Sequence, residues 1–273
     1  MLRRLLLAAA LVTVAASAWA QFPDSLDPFR KGVVVDPLKV GLVAYWRLEE
    51  ASGTRVDATG RGNDLTDNNT VTNTTGKLGN GAFFVRANSE HLSRADNADL
   101  SIGAATSFTV SLWVRFSVAS LTSFQSLVTK YADASASNRE FLIYAVGGSS
   151  FKMIVRGGAS EQTITDSIGY VENTWYHIIA GYDHVAQQAF IAHNAGTLTT
   201  LSHTAGINDG AAIFEIGVYS AAGSTYLDGT LDEVGLWKRV LTSAERTQLY
   251  NSGNGYTLYS VLRWWWMDGR RVA

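Results

Sequence analysis

Tyr226-Leu-Asp-Gly-Thr-Leu-Asp-Glu-Val-Gly-Leu-Trp237, running on through Lys238-Arg-Val-Leu-Thr-Ser-Ala-Glu245, is the stretch from which the fold can be read. Leu227 and Leu231 share one phase of strand alternation, and Val234 and Leu236 share the other. A strand with one buried face cannot change phase without an irregularity, because a one-residue slip turns every side chain over. The switch falls on Asp232-Glu233 and predicts a β-bulge there, a feature that re-aims side chains. Thr242-Ser-Ala-Glu245 reads as a capping box, the Thr hydroxyl at the helix start and the Glu reaching back to it. A long kinked strand thus runs into a short helix.

Upstream, the same alternation recurs. In Ser107–Phe116, Phe108, Val110, Leu112, Val114 and Phe116 face one way, while Thr109, Ser111, Trp113 and Arg115 face the other. That is a half-buried antiparallel strand. Gly41–Glu49 opens the series. Further strands are expected near 126–131, 140–146, 151–156, 162–166, 174–183, 187–193, 198–202 and 213–219. The polar run Asp67–Thr75 reads as a surface loop. Many short strands, regular turns and one late helix specify an all-β, two-sheet antiparallel sandwich. Twenty-five glycines against three prolines fit the number of tight turns this requires.

Composition excludes several functions. There is no cysteine, so disulfides, thiolate metal sites and cysteine nucleophiles are ruled out. A formal charge of −2 gives neither a nucleic-acid groove nor a polybasic membrane surface. Residues 1–20 read as a secretory signal: Arg3 and Arg4, an apolar run from Leu5 to Ala16 too short to span a bilayer, and Ala18-Trp-Ala20 as the cleavage site. Cleavage removes both arginines and moves the charge from −2 to −4. No later segment is long and apolar enough to span a membrane, so a soluble product, secreted or periplasmic, is expected. Residues 21–40 carry all three prolines and read as an exposed leader, residues 41–252 as the sandwich, and 253–273 as a Trp-rich extension. In that extension Trp264-Trp-Trp266 implies either an added edge strand or a docking tail.

The ordered motifs resemble the laminin-G-like, concanavalin A-like jelly rolls of bacterial secreted proteins. The opening Gly41-Leu-Val-Ala-Tyr-Trp-Arg-Leu-Glu49 is similar to that family's first strand, and Asp57-Ala-Thr-Gly-Arg-Gly-Asn63 to its Asp-x-Ser-Gly-x-Gly-Asn loop. Lys77–Val85, Phe108–Val114 and Trp175–Asp183 match further elements. The closing Leu227–Thr242 is close to the family's Gly-x-Ile-Asp-Glu-Val signature, with Leu227 where an aromatic is usual. The resemblance implies a concanavalin A-like jelly roll and lectin-like binding of a polysaccharide or glycan. It also implies a structural calcium held by Asp57, Asn63 and Asp232 with carbonyls at Gly60 and Gly62. A hard cation wants about six to eight oxygens, which carboxylates, amides and glycine-exposed carbonyls supply. The alternative for this loop is an Asx turn capping backbone amides without metal.

Catalytic motifs are missing. Glycanases on this fold carry alternating carboxylates on one strand, and retaining hydrolysis needs a pair about 5 Å apart. Asp232 and Glu233 are adjacent instead. No G-x-S-x-G, H-E-x-x-H or phosphate-loop pattern occurs. His177, mid-strand among apolar residues, reads as a histidine satisfied by a backbone or tyrosine partner. Tyr131, Arg139, Tyr144, Arg156 and Tyr219 are the candidate ligand-binding residues, by stacking and hydrogen bonding, on one sheet. A non-catalytic carbohydrate-binding module is the leading expectation. A protein-binding adhesion module and a divergent polysaccharide-degrading enzyme are the alternatives.

Overall fold

The structure is a computed structural model and describes residues 36–118, 124–132, 135–222 and 225–259. The signal, most of the leader and Trp264–Trp266 lie outside the described residues. In chain order the strands are β1 (Leu42–Trp46), β2 (Thr66–Asn68), β3 (Thr72–Thr75), β4 (Asn80–Phe84), β5 (His91–Arg94), β6 (Phe108–Phe116), β7 (Phe124–Tyr131) and β8 (Arg139–Val146). They continue with β9 (Ser150–Gly157), β10 (Ser160–Asp166), β11 (Trp175–Asp183), β12 (Gln188–His193), β13 (Thr199–Ser202), β14 (Phe214–Ile216) and β15 (Gly229–Trp237), followed by helix α1 (Ser243–Tyr250). An eight-stranded sheet has the order β13-β12-β11-β6-β15-β4-β3, with β1 also on β15. A seven-stranded sheet has the order β10-β9-β8-β7-β14-β5-β2. All pairings are antiparallel. This is the jelly-roll sandwich that the strand pattern specifies.

The irregularity in β15 lies where the phase switch predicts it. The register with β6 slips between Asp232 and Gly235, and Glu233 sits at φ 51°. The slip coincides with a change of neighbour on the other edge: β15 pairs β4 through Gly229–Leu231 and β1 through Val234–Trp237. Because the bulge absorbs the phase change, Leu227, Leu231, Val234 and Leu236 all reach the same inter-sheet core. That core also takes Phe108, Val110, Leu112, Val114 and Phe116 from β6, and Phe141, Ile143, Met153, Val155, Phe214 and Ile216 from the facing sheet.

A second apolar layer covers the other side of the eight-stranded sheet. Leu38, Leu42, Tyr45, Ile179, Phe190, Trp237, Leu241, Leu249 and Leu258 form it. The capping box holds α1 in place there: Thr242 Oγ1 accepts from Glu245 N, and Glu245 Oε2 accepts from Thr242 N at 2.8 Å. Arg239 binds both Glu245 oxygens, at 2.7 and 2.8 Å, and the carbonyls of Pro37 and Val40.

Two expectations are corrected here. The leader is not exposed at its end, since Leu38 is buried and its carbonyl accepts from Trp237 Nε1 at 2.6 Å. Residues 253–259 form no strand, and Leu258, Tyr256 and Tyr259 pack in the second layer; the edge strand or docking tail expected around Trp264–Trp266 lies outside the described residues. The sandwich therefore begins near Pro37 and runs to at least Tyr259. The Asp67–Thr75 run is likewise more than a loop. It supplies β2 and β3, short polar strands that bound the two sheets, turning about fully buried Val71. Short polar edges are how sheets avoid further pairing, and this is why the run lacked a strand's apolar signature.

Candidate functional site

On the face of the seven-stranded sheet turned away from the core, alternation leaves Leu142, Tyr144, Ile154 and Arg156 pointing outward. Around them the structure brings together all five sequence-predicted ligand residues. Tyr131 and Tyr219 meet edge to face at 5.4 Å, and the Arg139 guanidinium lies 5.3 Å from the Tyr131 ring centre. Tyr144 packs on Phe124 at 5.0 Å. The pattern did not reveal Glu161, which joins them. Its Oε2 accepts from the Tyr131 hydroxyl at 2.6 Å and from Arg156 Nη1 at 3.1 Å, with Arg139 Nη1 at 3.7 Å. Burial alone would raise the Glu161 carboxyl. The Tyr131 hydroxyl and the Arg156 guanidinium outweigh burial and hold it below the ordinary carboxylate range. Burial, and then the Glu161 charge, raise the Tyr144 phenol.

A local signal for Glu161 was available. Gly157-Gly158 marks a tight turn, and the register of the resulting hairpin sets Glu161 opposite Arg156. Opposite charges directly across a strand pair are a recurrent stabilising contact. The tyrosines are no more than 9% exposed, whereas Arg139 and Glu161 side chains are 27% and 33% exposed. Solvent thus meets a set of guanidinium donors and carboxylate acceptors seated on aromatic rings. Such a set can bind hydroxyls. It is a poor proton donor, because the one carboxylate at its centre is held ionised by arginine.

The opening loop also forms as a unit. Asp57 Oδ1 accepts from Tyr45 N and Thr59 N at 3.1 and 3.0 Å, its Oδ2 from Asn63 N at 3.2 Å, and the Thr59 hydroxyl reaches both oxygens at 2.8 Å. Asn63 donates to Val43 O at 2.9 Å, and its amide oxygen accepts from Asn97 at 3.0 Å. Gly60 and Gly62 take φ of 74° and 83°, where a side chain would be strained. Asp57, Asn63 and both glycines therefore share one loop, and every side-chain oxygen of Asp57 and Asn63 already faces a donor. Asp232 is held elsewhere. Its Oδ2 accepts from Lys77 N and Leu78 N at 2.7 and 2.8 Å. Gly76 lets that turn close, since a Cβ there would come within 2.6 Å of Asp232 Oδ2. Among the described residues no three of His, Cys, Asp or Glu converge as a metal site would need. A cation at this loop would have to displace the donors on Asp57. Beside the loop lies a cavity of about 340 Å³, lined by Arg61, Gly62, Asn63, Arg94, Asn97, Ala98 and Asp99, with Arg61 clamped on Asp99 at 2.5 and 2.9 Å.

On the covered face, Ser111 Oγ lies 2.9 Å from His177 Nε2, and the ring stacks near Trp113 and Tyr250 at 4.9 and 6.1 Å. The partner of His177 is a serine, not the backbone or tyrosine partner expected. Its Nδ1 is buried without a hydrogen-bond partner, and burial lowers its pKa to about 3. Asp232 Oδ1 and the Glu233 carboxyl are likewise buried without a hydrogen bond of good geometry, Glu233 beside the Thr257 hydroxyl that partly offsets its burial, and burial pushes both acids up to about 8. These groups are neutral at ordinary pH, which is how unpaired polar groups persist in an apolar layer.

A model of the concanavalin A-like lectin/glucanases superfamily matches residues 86–245, more than half of the chain. The chain belongs to this superfamily. Solved structures with its fold include the binding domain of Paraclostridial Mosquitocidal Protein 1, with a TM-score of 0.67 and 17% identity, covering 79% of this chain and 53% of that one. The binding domain of botulinum neurotoxin serotype G superposes with a TM-score of 0.61 at 14% identity, covering 77% and 50%. Domain 4 of AbnA, an extracellular arabinanase from Geobacillus stearothermophilus solved with arabinotriose, gives 0.59 at 16% identity, covering 79% of this chain and 98% of that domain. The chain thus spans about half the length of the two toxin binding domains and nearly all of the arabinanase domain. A search of curated protein sequences returned no match. Among the described residues no helix is long and apolar enough to cross a membrane.

Proposed function

We propose that this chain is an exported, non-catalytic carbohydrate-binding module whose ligand face is the outward side of the seven-stranded sheet. One observation carries the reading: Tyr131, Arg139 and Arg156, far apart in sequence, meet at Glu161 on the side opposite α1, with Tyr219 against Tyr131 and Tyr144 in the same cluster. Polar groups on aromatic supports suit sugar hydroxyls, and the arabinanase domain solved with arabinotriose shares the fold. Among the described residues of this face no protonated carboxyl stands beside Glu161, which supports binding over hydrolysis. A glycan array probed with the full chain and with Arg156→Ala tests this. Binding to a glycan class that the substitution abolishes supports the reading. Binding to no glycan removes it in favour of a protein partner.

The structural calcium implied by the resemblance is a separate proposal. Were the loop to exchange the donors on Asp57 for the ion, millimolar calcium would raise the melting midpoint and Asp57→Ala would abolish the rise. A flat titration removes the ion.

A further inference from the structure

Lys130 is out of place. It sits in β7 directly opposite Phe141 of β8 and Phe214 of β14, both core phenylalanines, and is 0% exposed. A buried ammonium is costly unless fully partnered. Its Nζ lies 2.8 Å from Asp96 Oδ1, 2.5 Å from Glu140 Oε1 and 2.6 Å from the Gly210 carbonyl. Glu140 is also 0% exposed, and its two oxygens accept from Ile102 N and Gly210 N at 3.0 and 3.1 Å. An amine, an acid at bonding range and a second, fully buried carboxyl against the amine thus meet beside two aromatic rings.

We propose that Lys130 and Asp96 condense to an intramolecular isopeptide bond, with Glu140 carrying the protons. The Nζ–Cγ bond forms and one Cγ–O bond of Asp96 breaks. The ammonium gives up two protons, and both leave on the departing oxygen as water. Charge and atoms balance, and no oxidant or co-reactant is needed. The surroundings favour each stage. Condensation needs the neutral amine, and the Glu140 carboxyl at 2.5 Å is placed to take its proton. Proximity replaces a bimolecular encounter with an intramolecular one. Burial raises the Glu140 carboxyl, although Lys130 opposes this, so that it can both take and return a proton. Asp96 is the starting ion-pair partner: burial would raise it, but its bonds to Lys130 and Ser101 bring it below the ordinary range. Its side chain is 31% exposed, which gives the released water an exit. The bond would tie β7 to the long connection between β5 and β6. A cysteine-free chain has no disulfide with which to make such a link.

Mass spectrometry of a tryptic digest of the folded full chain tests the proposal. The expected product is a branched species in which peptide 95–115 is joined to peptide 116–139, uncleaved after Lys130 and lighter than their sum by one water. Separate peptides 95–115 and 116–130 from the folded wild type would show an ion pair only and overturn it. Glu140→Gln is expected to abolish the branched species; its persistence would overturn the role given to Glu140. Should that variant fail to fold, Asp96→Ala replaces a partly exposed side chain and is expected to yield unlinked peptides. A branched species lighter by one water that survives Asp96→Ala would overturn the assignment of the bond.

Discussion

On the outward face of the eight-stranded sheet, Trp113 lies against Tyr250 at 5.8 Å and 16°, with Lys77 Nζ 4.7 Å above its ring. On the outward face of the seven-stranded sheet, Tyr131 meets Tyr219 edge-on under the Arg139 guanidinium. Both faces carry aromatic residues beside cations, yet their acids behave in opposite ways. Asp232 lies under the Gly76–Leu78 turn and Glu233 beside Thr257 in the chain after α1, and burial raises both. Glu161 lies between two arginines and is lowered. Cover decides the difference. The first face is part of the folding core, and the second keeps its charges available to solvent. Aromatic content alone does not tell a covered face from an open one; the state of the neighbouring carboxylates does.

The sharpest way to break this contrast is to damage the cover. Trp237 is fully buried in the second layer and ties β15 to Leu38 through its indole nitrogen. Trp237→Ala is expected to cost ~3–5 kcal/mol, measured by urea unfolding. A loss below ~1 kcal/mol would show that the second layer is decoration.

The pH dependence comes next. Burial lifts Asp232 and Glu233 to about 8 in the folded state, while the unfolded chain sheds both protons near pH ~4. Between those limits the folded state binds more protons. The stabilisation is therefore fully present at acid pH and is lost as pH rises through the window towards 8, by up to about 5 kcal/mol for each acid. Asp232→Asn and Glu233→Gln are expected to flatten that slope, and a melting midpoint that rises over the same range would reverse the assignment.

These buried acids also show what the sequence could and could not tell. The bulge was legible because a phase switch between Leu231 and Val234 admits few other solutions. The capping box was legible because its geometry is local. The five candidate residues were legible only as residues on strands or loops of one sheet, and their convergence depends on the order β10-β9-β8-β7-β14, which local pattern does not specify. Glu161 was missed because its meaning comes from the residue across the hairpin. For Asp232, the motif placed it at an irregularity but could not say which loop the bulge would aim it at. It meets Lys77 and Leu78, more than 150 residues earlier in the chain.

A smaller effect tests the helix that closes the cover. Thr242→Ala removes the hydroxyl half of the capping box and is expected to cost ~1 kcal/mol by thermal unfolding. Arg239 would still hold Glu245, so the helix should remain docked. If the loss equalled that of Trp237→Ala, α1 and the second layer would have to fold as one inseparable unit.

The smallest change in stability is expected on the proposed ligand face, and there a small effect is the informative one. Arg156 is paired with Glu161 at 3.1 Å, with its side chain 16% exposed. Partly exposed ion pairs contribute ~0–1 kcal/mol, so Arg156→Ala should unfold within that margin of the parent. Glu161→Gln should do the same, because the amide oxygen can still accept from the Tyr131 hydroxyl. If this face binds glycan, both substitutions abolish binding while leaving the melting midpoint nearly unmoved. That combination is unavailable to any residue of the covered face, where binding and folding would fail together. A large destabilisation by Arg156→Ala would mean that this face, too, is structural, and the contrast between the two sheets would fail.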